Sequence, residues 1–360
     1  MDSYGTNLGE KFAAKALERF FETTVVDKIT NKNYEAMVSV GGTDRVSVKT
    51  YGKLTLNTFT GANETVQSLE ESEGQLLLNH KKDYYFKIPS LEKFEDYVNN
   101  PESGIIAEAG KLIQEDADAF VLGLYADAGS GNRVGTDYTT GDITITITTG
   151  ACVGNGTTWT SGMSGLGIKA TGHSKWYRFT YVSATTGFVY EDSDDDTASY
   201  GGGTITSAAY TIEAATVLTV TADNIYGYID ALATKLDENK IPRSDRWLVV
   251  NAKIASKLRQ SDELSPAIES AYQDVIKKGL IGTVAGFQVY QNEQVYGNNT
   301  TGYYIMAGHI SAITYAVSYK ESDIEPLIAN FGKAYKSLVV SGAKILDERR
   351  KALCYLWAKV

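Results

Sequence analysis

Cysteine is nearly absent from this chain: Cys152 and Cys354 are the two in 360 residues. They fall in stretches that read as different parts of the molecule, so two buried thiols are expected rather than a disulfide, as suits a reducing compartment. Histidine is as scarce. His80, His173 and His309 are scattered, and no His or Cys pair has the spacing of a metal site. No P-loop, nucleophile elbow or dinucleotide fingerprint occurs. Two Ser-x-x-Lys matches, Ser90 to Lys93 and Ser341 to Lys344, lack the companion motifs of a serine acyl-enzyme; Ser90 reads as a helix cap and Lys344 as a strand-surface charge. Long apolar runs are also missing, since none approaches the roughly 18 residues that span a bilayer. Glu10, Lys11, Lys15, Glu18 and Arg19 interrupt the N-terminus before a signal core could form. Neither an enzyme, a cofactor nor a membrane span is expected.

Positive charge is in short supply as well. The formal net charge is -10, and the first 33 residues carry five acidic and five basic side chains, so there is no basic arm. A surface that grips nucleic acid through phosphate contacts needs clustered Lys and Arg, and none is found.

What the chain does have is an unusual order of parts. Residues 8–29 repeat apolar positions at helical spacing, with Leu8, Phe12, Ala16 and Phe20 on one side and Leu17, Phe21 and Val25 beside them. From about Asp44 to Ile88 the pattern is that of a long β-hairpin, with Val46, Val48, Leu54 and Leu56 on one arm and Leu76, Leu78, Tyr84 and Phe86 on the other. Arms of about 14 residues would reach roughly 45 Å at ~3.3 Å per residue. An isolated two-stranded hairpin is marginal in water, so a neighbouring subunit is expected to hold it. Asn100 as N-cap, Pro101 at the first helical position and Glu102 near the positive dipole end open a helix to Asp127 of roughly 40 Å.

Composition then changes. Residues 129–222 hold 21 threonines and 15 glycines but only four Lys or Arg. Short β-like runs at 143–148, 176–182, 188–190, 210–212 and 217–220 predict a small β-domain with a core from Trp159, Trp176, Tyr177 and Phe179. Its edges, Gly129-Ser130-Gly131 and Thr221, read as loops that tolerate insertion, so the domain is expected to be dispensable for folding of the rest. Beyond it the spacing predicts a helix over 223–238 with Thr221 as cap, a strand over 247–250, a helix capped by Asn251, and a helix over 266–278 closed by Gly279.

The stretch Gly279-Leu280-Ile281-Gly282-Thr283-Val284-Ala285-Gly286-Phe287-Gln288-Val289-Tyr290 is a glycine-punctuated turn leading into an aromatic and a strand. Together with Gly308-His309, Ile313 to Val317, Phe331-Gly332 and Leu338 to Leu346, it resembles recurrent segments of tailed-phage major capsid proteins. The order of parts outside 129–222 also resembles that family's Hong Kong 97-type fold. The resemblance implies an α+β fold with an N-terminal arm (1–43), an extended hairpin loop (44–88), the spine helix of a peripheral domain (89–128), an axial domain (223–305) and closing strands (306–360). The segment 129–222 departs from the minimal fold and reads as an inserted all-β domain.

On that resemblance, the chain is expected to self-associate through hexamers and pentamers into an icosahedral shell around double-stranded DNA, in the virion, after assembly in the bacterial cytoplasm. A motor-filled shell needs no basic arm. A portal and decoration proteins are possible partners, and because the first helix begins almost at Met1, any scaffold is expected to be a separate protein. One branch of the family cross-links a loop lysine to a neighbour; residues 61–74 contain none, so no such bond is expected. Two rival readings stand: an encapsulin-type bacterial shell, and a surface glycan- or host-binding protein with exposed aromatics around Trp159 and Trp176.

Two charge clusters are candidate sites. The hairpin tip carries Glu64, Glu70, Glu71 and Glu73 with no basic residue between Gly61 and Gly74. Such a cluster needs solvent or positive charge on a partner, for which Arg349, Arg350 and Lys351, or Lys11 and Lys15, are candidates. The run Glu191-Asp192-Ser193-Asp194-Asp195-Asp196 offers closely spaced carboxylates, with Asp192, Asp194 and Asp196 as Ca²⁺ candidates. It lacks EF-hand spacing and the EF-hand glycine, and a solvated turn is the alternative.

Overall fold

The computed structural model describes residues 24–33, 45–51, 71–89, 101–192, 200–261, 280–326 and 332–360. It opens on a helical turn, Val26–Ile29, and strand β1 (Thr30–Asn31), followed by β2 (Arg45–Tyr51), β3 (Glu71–Leu77) and β4 (His80–Pro89). A long helix, Pro101–Leu122, runs into a 3-10 turn, Gly123–Asp127. Next come β5 (Arg133–Val134), β6 (Thr136–Tyr138), β7 (Asp142–Ile145), β8 (Ala151–Asn155), β9 (Gly167–Ala170), β10 (Tyr177–Tyr181), β11 (Thr186–Tyr190), β12 (Ile205–Thr216) and β13 (Leu218–Thr219). Helices Ile225–Glu238 and Ala252–Gln260 flank β14 (Arg246–Val250). The chain ends through β15 (Leu280–Val284), β16 (Phe287–Gln291), β17 (Gly297–Asn298), β18 (Gly302–His309), β19 (Ile313–Pro326), β20 (Gly332–Lys344) and β21 (Leu353–Lys359).

The largest core belongs to an eight-stranded sheet ordered β13-β21-β18-β14-β16-β15, with β5 and β17 at its margins. Every residue of β14 is buried, as in a strand covered on both faces. The expected face of the 225–238 helix, Ile225, Ile229, Leu232 and Leu236, packs against this sheet beside Trp247, Phe287 and Leu356. Each such side chain contributes about 1.5–3 kcal/mol on burial. Asn251 caps the next helix as expected, its side chain accepting from the Ile254 N–H at 3.1 Å. Thr221 does not cap; its own N–H donates to Asn224, whose amide also donates to the Thr219 carbonyl. The β15–β16 hairpin turns through Ala285 and Gly286, both at positive φ (46° and 83°), and Phe287 and Val289 are buried on either side of exposed Gln288.

The Thr/Gly-rich middle closes on itself. Strand β12 pairs with β7 through one edge and with β9 through the other, completing an antiparallel ring β12-β7-β8-β11-β10-β9; β6 lies alongside. Closure requires bends, and β12 supplies them with register shifts after Ile205 and after Ile212 and with positive φ at Ser207 and Ala214. The interior is filled by Ile143, Ile145, Trp159, Ile168, Tyr177, Phe179, Tyr210 and Ile212. Trp159 donates its indole N–H to the Tyr210 hydroxyl (2.7 Å), which donates to the Thr140 carbonyl (2.9 Å), so both buried polar tips are satisfied. Trp176 does not join this core: it is half-buried on the outside, with Lys169 Nζ 4.6 Å from its ring.

The third assembly is a four-stranded sheet ordered β1-β19-β20-β4. It corrects the hairpin expectation. Strands β2 and β3 pair over seven residues each, but residues 80–89 leave them after Leu78-Asn79 and pair with β20 instead, so Tyr84 and Phe86 belong to this sheet. The described base of the hairpin is held by its own chain: Val46, Val48, Leu76 and Leu78 pack on Ala316 and Val340.

The N-terminal helix is corrected too, where described. Thr24 and Val25 are not helical, because the N–H groups of Val25 and Val26 donate to the Asp118 carboxylate rather than to carbonyls one turn back. Asp118 also accepts from Thr24 and from the Asn292 amide (2.8 Å), and burial raises its pKa despite these donors. The long helix ends five residues early as an α-helix; Gly123, a poor helix former, begins the tighter turn. Asn100, the tip residues Gly61 to Glu70, Ser90, Lys93 and the 266–278 helix lie outside the described residues.

Candidate assembly interface

The structure treats the two candidate charge clusters differently. Glu71 and Glu73 lie on β3, opposite Tyr51 and Lys49 in register, while Glu64 and Glu70 lie outside the described residues. Arg349 is exposed and reaches the Ser311 hydroxyl (3.3 Å); Lys351 is exposed, 3.8 Å from Glu348. Arg350 is not a surface charge. A 3-10 turn, Asp347–Ala352, points it inward, where its side chain is 6% exposed, its Nε donates to the Asp127 carbonyl and its Nη2 lies 2.8 Å from Asp192 Oδ1. Asp192, offered above for Ca²⁺, therefore faces a guanidinium and accepts from the Ser130 N–H (2.5 Å). Asp194 and Asp196 lie outside the described residues, and among the described ones no three His, Cys, Asp or Glu gather as metal ligands.

Residues 128–133 are not the loose linker expected. Ala128, Gly129, Asn132 and Arg133 are buried. Arg133 donates to the Ala126 and Ala128 carbonyls and sits 3.4 Å from Glu213 Oε1, whose other oxygen accepts from the Gly131 N–H (2.7 Å). Asn132 donates to the Arg350 and Leu353 carbonyls and accepts from Asn239. Burial raises the Glu213 pKa, against the pull of Arg133. Sequence reading missed Glu213, although a lone acid among Ile212, Ala214 and Ala215 is a signal that a cation must lie nearby.

Where the long helix meets the four-stranded sheet, Asp116 takes Lys82 (2.8 Å) and His80 (2.5 Å), and the His80 ring stacks on Phe120. Burial pushes the Asp116 pKa up, but the two hydrogen bonds outweigh it and hold it below the usual carboxylate value. Ser341 is buried beside His80 in register, and Lys344 is half-buried rather than on the open surface. Both cysteines are buried and unpaired, and burial lifts the Cys152 thiol to about 12. The exposed aromatics a glycan binder would use are absent at Trp159, which is 2% exposed. What the four-stranded sheet does expose is Tyr85, 65% accessible on β4, a strand that among the described residues pairs on one side alone.

No family model matches the sequence, and no curated protein matches it. Solved structures do. That of Mycobacterium phage Che8 aligns over 98% of both chains at 16% identity with a TM-score of 0.60. The capsid of Cyanophage P-SCSP1u covers 99% of this chain and 96% of its own at 12% identity and 0.59. The capsid of Ralstonia phage GP4 covers 100% and 98% at 10% identity and 0.55. At such identities the likeness is one of fold: the chain carries, over nearly its whole length, the fold of phage capsid proteins.

Proposed function

We propose that this chain is the major capsid protein of a tailed bacteriophage, a structural subunit that assembles through hexamers and pentamers into an icosahedral shell enclosing double-stranded DNA. The observation that carries the reading is the near-complete alignment with capsid structures. Within it, the parts are those of a Hong Kong 97-type subunit: the hairpin based on β2 and β3 as extended loop, helix 101–122 as spine, the sheet around β14 and β16 as axial domain, β4, β19 and β20 as peripheral strands, and the barrel as an insertion. The subunit acts by association rather than by chemistry, with scaffold, portal and decoration proteins as partners and the virion capsid, built in the host cytoplasm, as its place. Nothing favours the encapsulin reading, and the binder loses support with Trp159 inside the barrel.

Negative-stain microscopy and sedimentation of the purified chain test this. Shells or capsomers of five and six copies are expected, and monomer at every concentration and salt would overturn the reading. Particles filled with protein cargo instead of DNA would transfer it to the bacterial shells.

A further inference from the structure

The barrel and the body keep separate apolar cores. Between them lies a polar seam of consistent sense. Both arginines stand on the body, Arg133 in β5, which pairs with β21, and Arg350 in the turn before β21. Both carboxylates stand on the barrel, Glu213 in β12 and Asp192 just beyond β11. Arg133 Nη1 and Nε, Glu213 Oε1, Asp192 Oδ1, Arg350 Nη2 and Ser130 Oγ are buried without a well-formed hydrogen bond, so the ion pairs touch but leave the seam incompletely satisfied.

Buried ion pairs stabilise little against an apolar contact, yet removing one partner is strongly unfavourable, so they fix one arrangement more than they strengthen it. The fit is also close: a Cβ on Gly131, two residues before Arg133, would lie 2.8 Å from the Trp176 ring of the barrel. We propose that this seam is a latch, holding the barrel in a single orientation on the body and giving way before either core, so that the barrel can leave its seat as an intact unit. The inference concerns the subunit alone and does not rest on shell assembly.

Hydrogen exchange read amide by amide tests it. The reporters are the N–H groups of Ser130 and Gly131, which donate to Asp192 and Glu213 of the barrel. The barrel's own reporters are Phe179 and Val189, which donate to the Leu166 and Gly150 carbonyls. In Arg350→Met the seam amides should exchange about a hundredfold faster or more, with the barrel reporters unchanged. Seam amides at the wild-type rate, or seam and barrel accelerating together, would each overturn the proposal. Asp192→Asn, which keeps the side-chain shape, is read by the same criteria. In the unmodified chain, a low-denaturant series should resolve seam opening as a step with a smaller denaturant dependence than barrel opening; one common opening would refute the latch without any substitution.

Discussion

The barrel and the four-stranded sheet deal with their edges in opposite ways. In the barrel, β12 is paired on both sides and the ring of six strands closes, so its backbone offers little to a second chain. The four-stranded sheet stops at β4, ten residues long, whose outer side has no partner among the described residues. A strand with a free side can extend its sheet into another copy, whereas a closed barrel can meet a neighbour only through side chains. On the function proposed above, contacts between copies are therefore expected first at the sheet.

Opening the barrel should give the largest effect. Phe179 is fully buried and meets Trp159 edge-on at 4.9 Å. Phe179→Ala removes about 3–5 kcal/mol of stability from the barrel. It also frees strand edges that closure had hidden, so aggregation on heating is expected. Calorimetry should show the barrel transition moving down while the body transition stays. One transition moving as a whole would show that the two regions melt as a unit and that the comparison is drawn at the wrong place.

Reversing charge at the hairpin tip comes next. On the expectation from the sequence that the tip is solvated, Glu64→Lys, Glu70→Lys, Glu71→Lys should leave the isolated subunit within about 0.5 kcal/mol of wild type. Assembly, followed by light scattering, should fall sharply, because like charges at a repeated contact cost several kcal/mol. With Arg350 turned inward, Arg349 and Lys351 remain as the exposed cations of that C-terminal group. Assembly at the wild-type rate would remove the tip from the list of electrostatic contacts.

Much of this was legible in the sequence, and the failures share a cause. The runs at 143–148, 176–182 and 188–190 are found as β7, β10 and β11, and the apolar face of the 225–238 helix is the buried one. Period-two and period-3.6 patterns report which face is covered, which is a local property. They do not report what covers it. The alternation through Leu76, Leu78, Tyr84 and Phe86 is the same whether one partner or two lie opposite, so the break at Leu78-Asn79 was invisible. Barrel closure turns on Ser207 and Ala214 at positive φ, positions that carry no glycine to announce them. The buried charges failed for a related reason: Arg349-Arg350-Lys351 reads as a solvated basic group, and only the packed turn shows that the middle residue faces Asp192.

A smaller effect should follow from blunting the β4 edge, which has no partner among the described residues. Tyr85 is largely exposed, so Tyr85→Lys leaves subunit stability within about 0.5 kcal/mol of wild type. A lysine at a free strand edge discourages pairing with another chain. Slower assembly with unchanged melting is therefore expected, and unchanged assembly would exclude this edge as a contact between copies.

The smallest effect sits where the sheet's last strand meets the long helix. Asp116 lies about a third exposed between Lys82 and His80, so its pairs are partly screened, and Asp116→Asn should cost no more than about 1 kcal/mol at neutral pH. The sign of its pH dependence follows from the direction of the shift. Its folded pKa is lowered from 3.8, so the stabilisation is present above that value and is lost as pH falls through the folded pKa. Denaturant midpoints of wild type and variant should thus differ near neutrality and converge in acid, once pH has fallen through the lowered folded pKa. A gap that persisted in acid would mean that the carboxylate acts through packing rather than charge. The anchoring of β4 to the helix would then be as insensitive to pH as the barrel's apolar core.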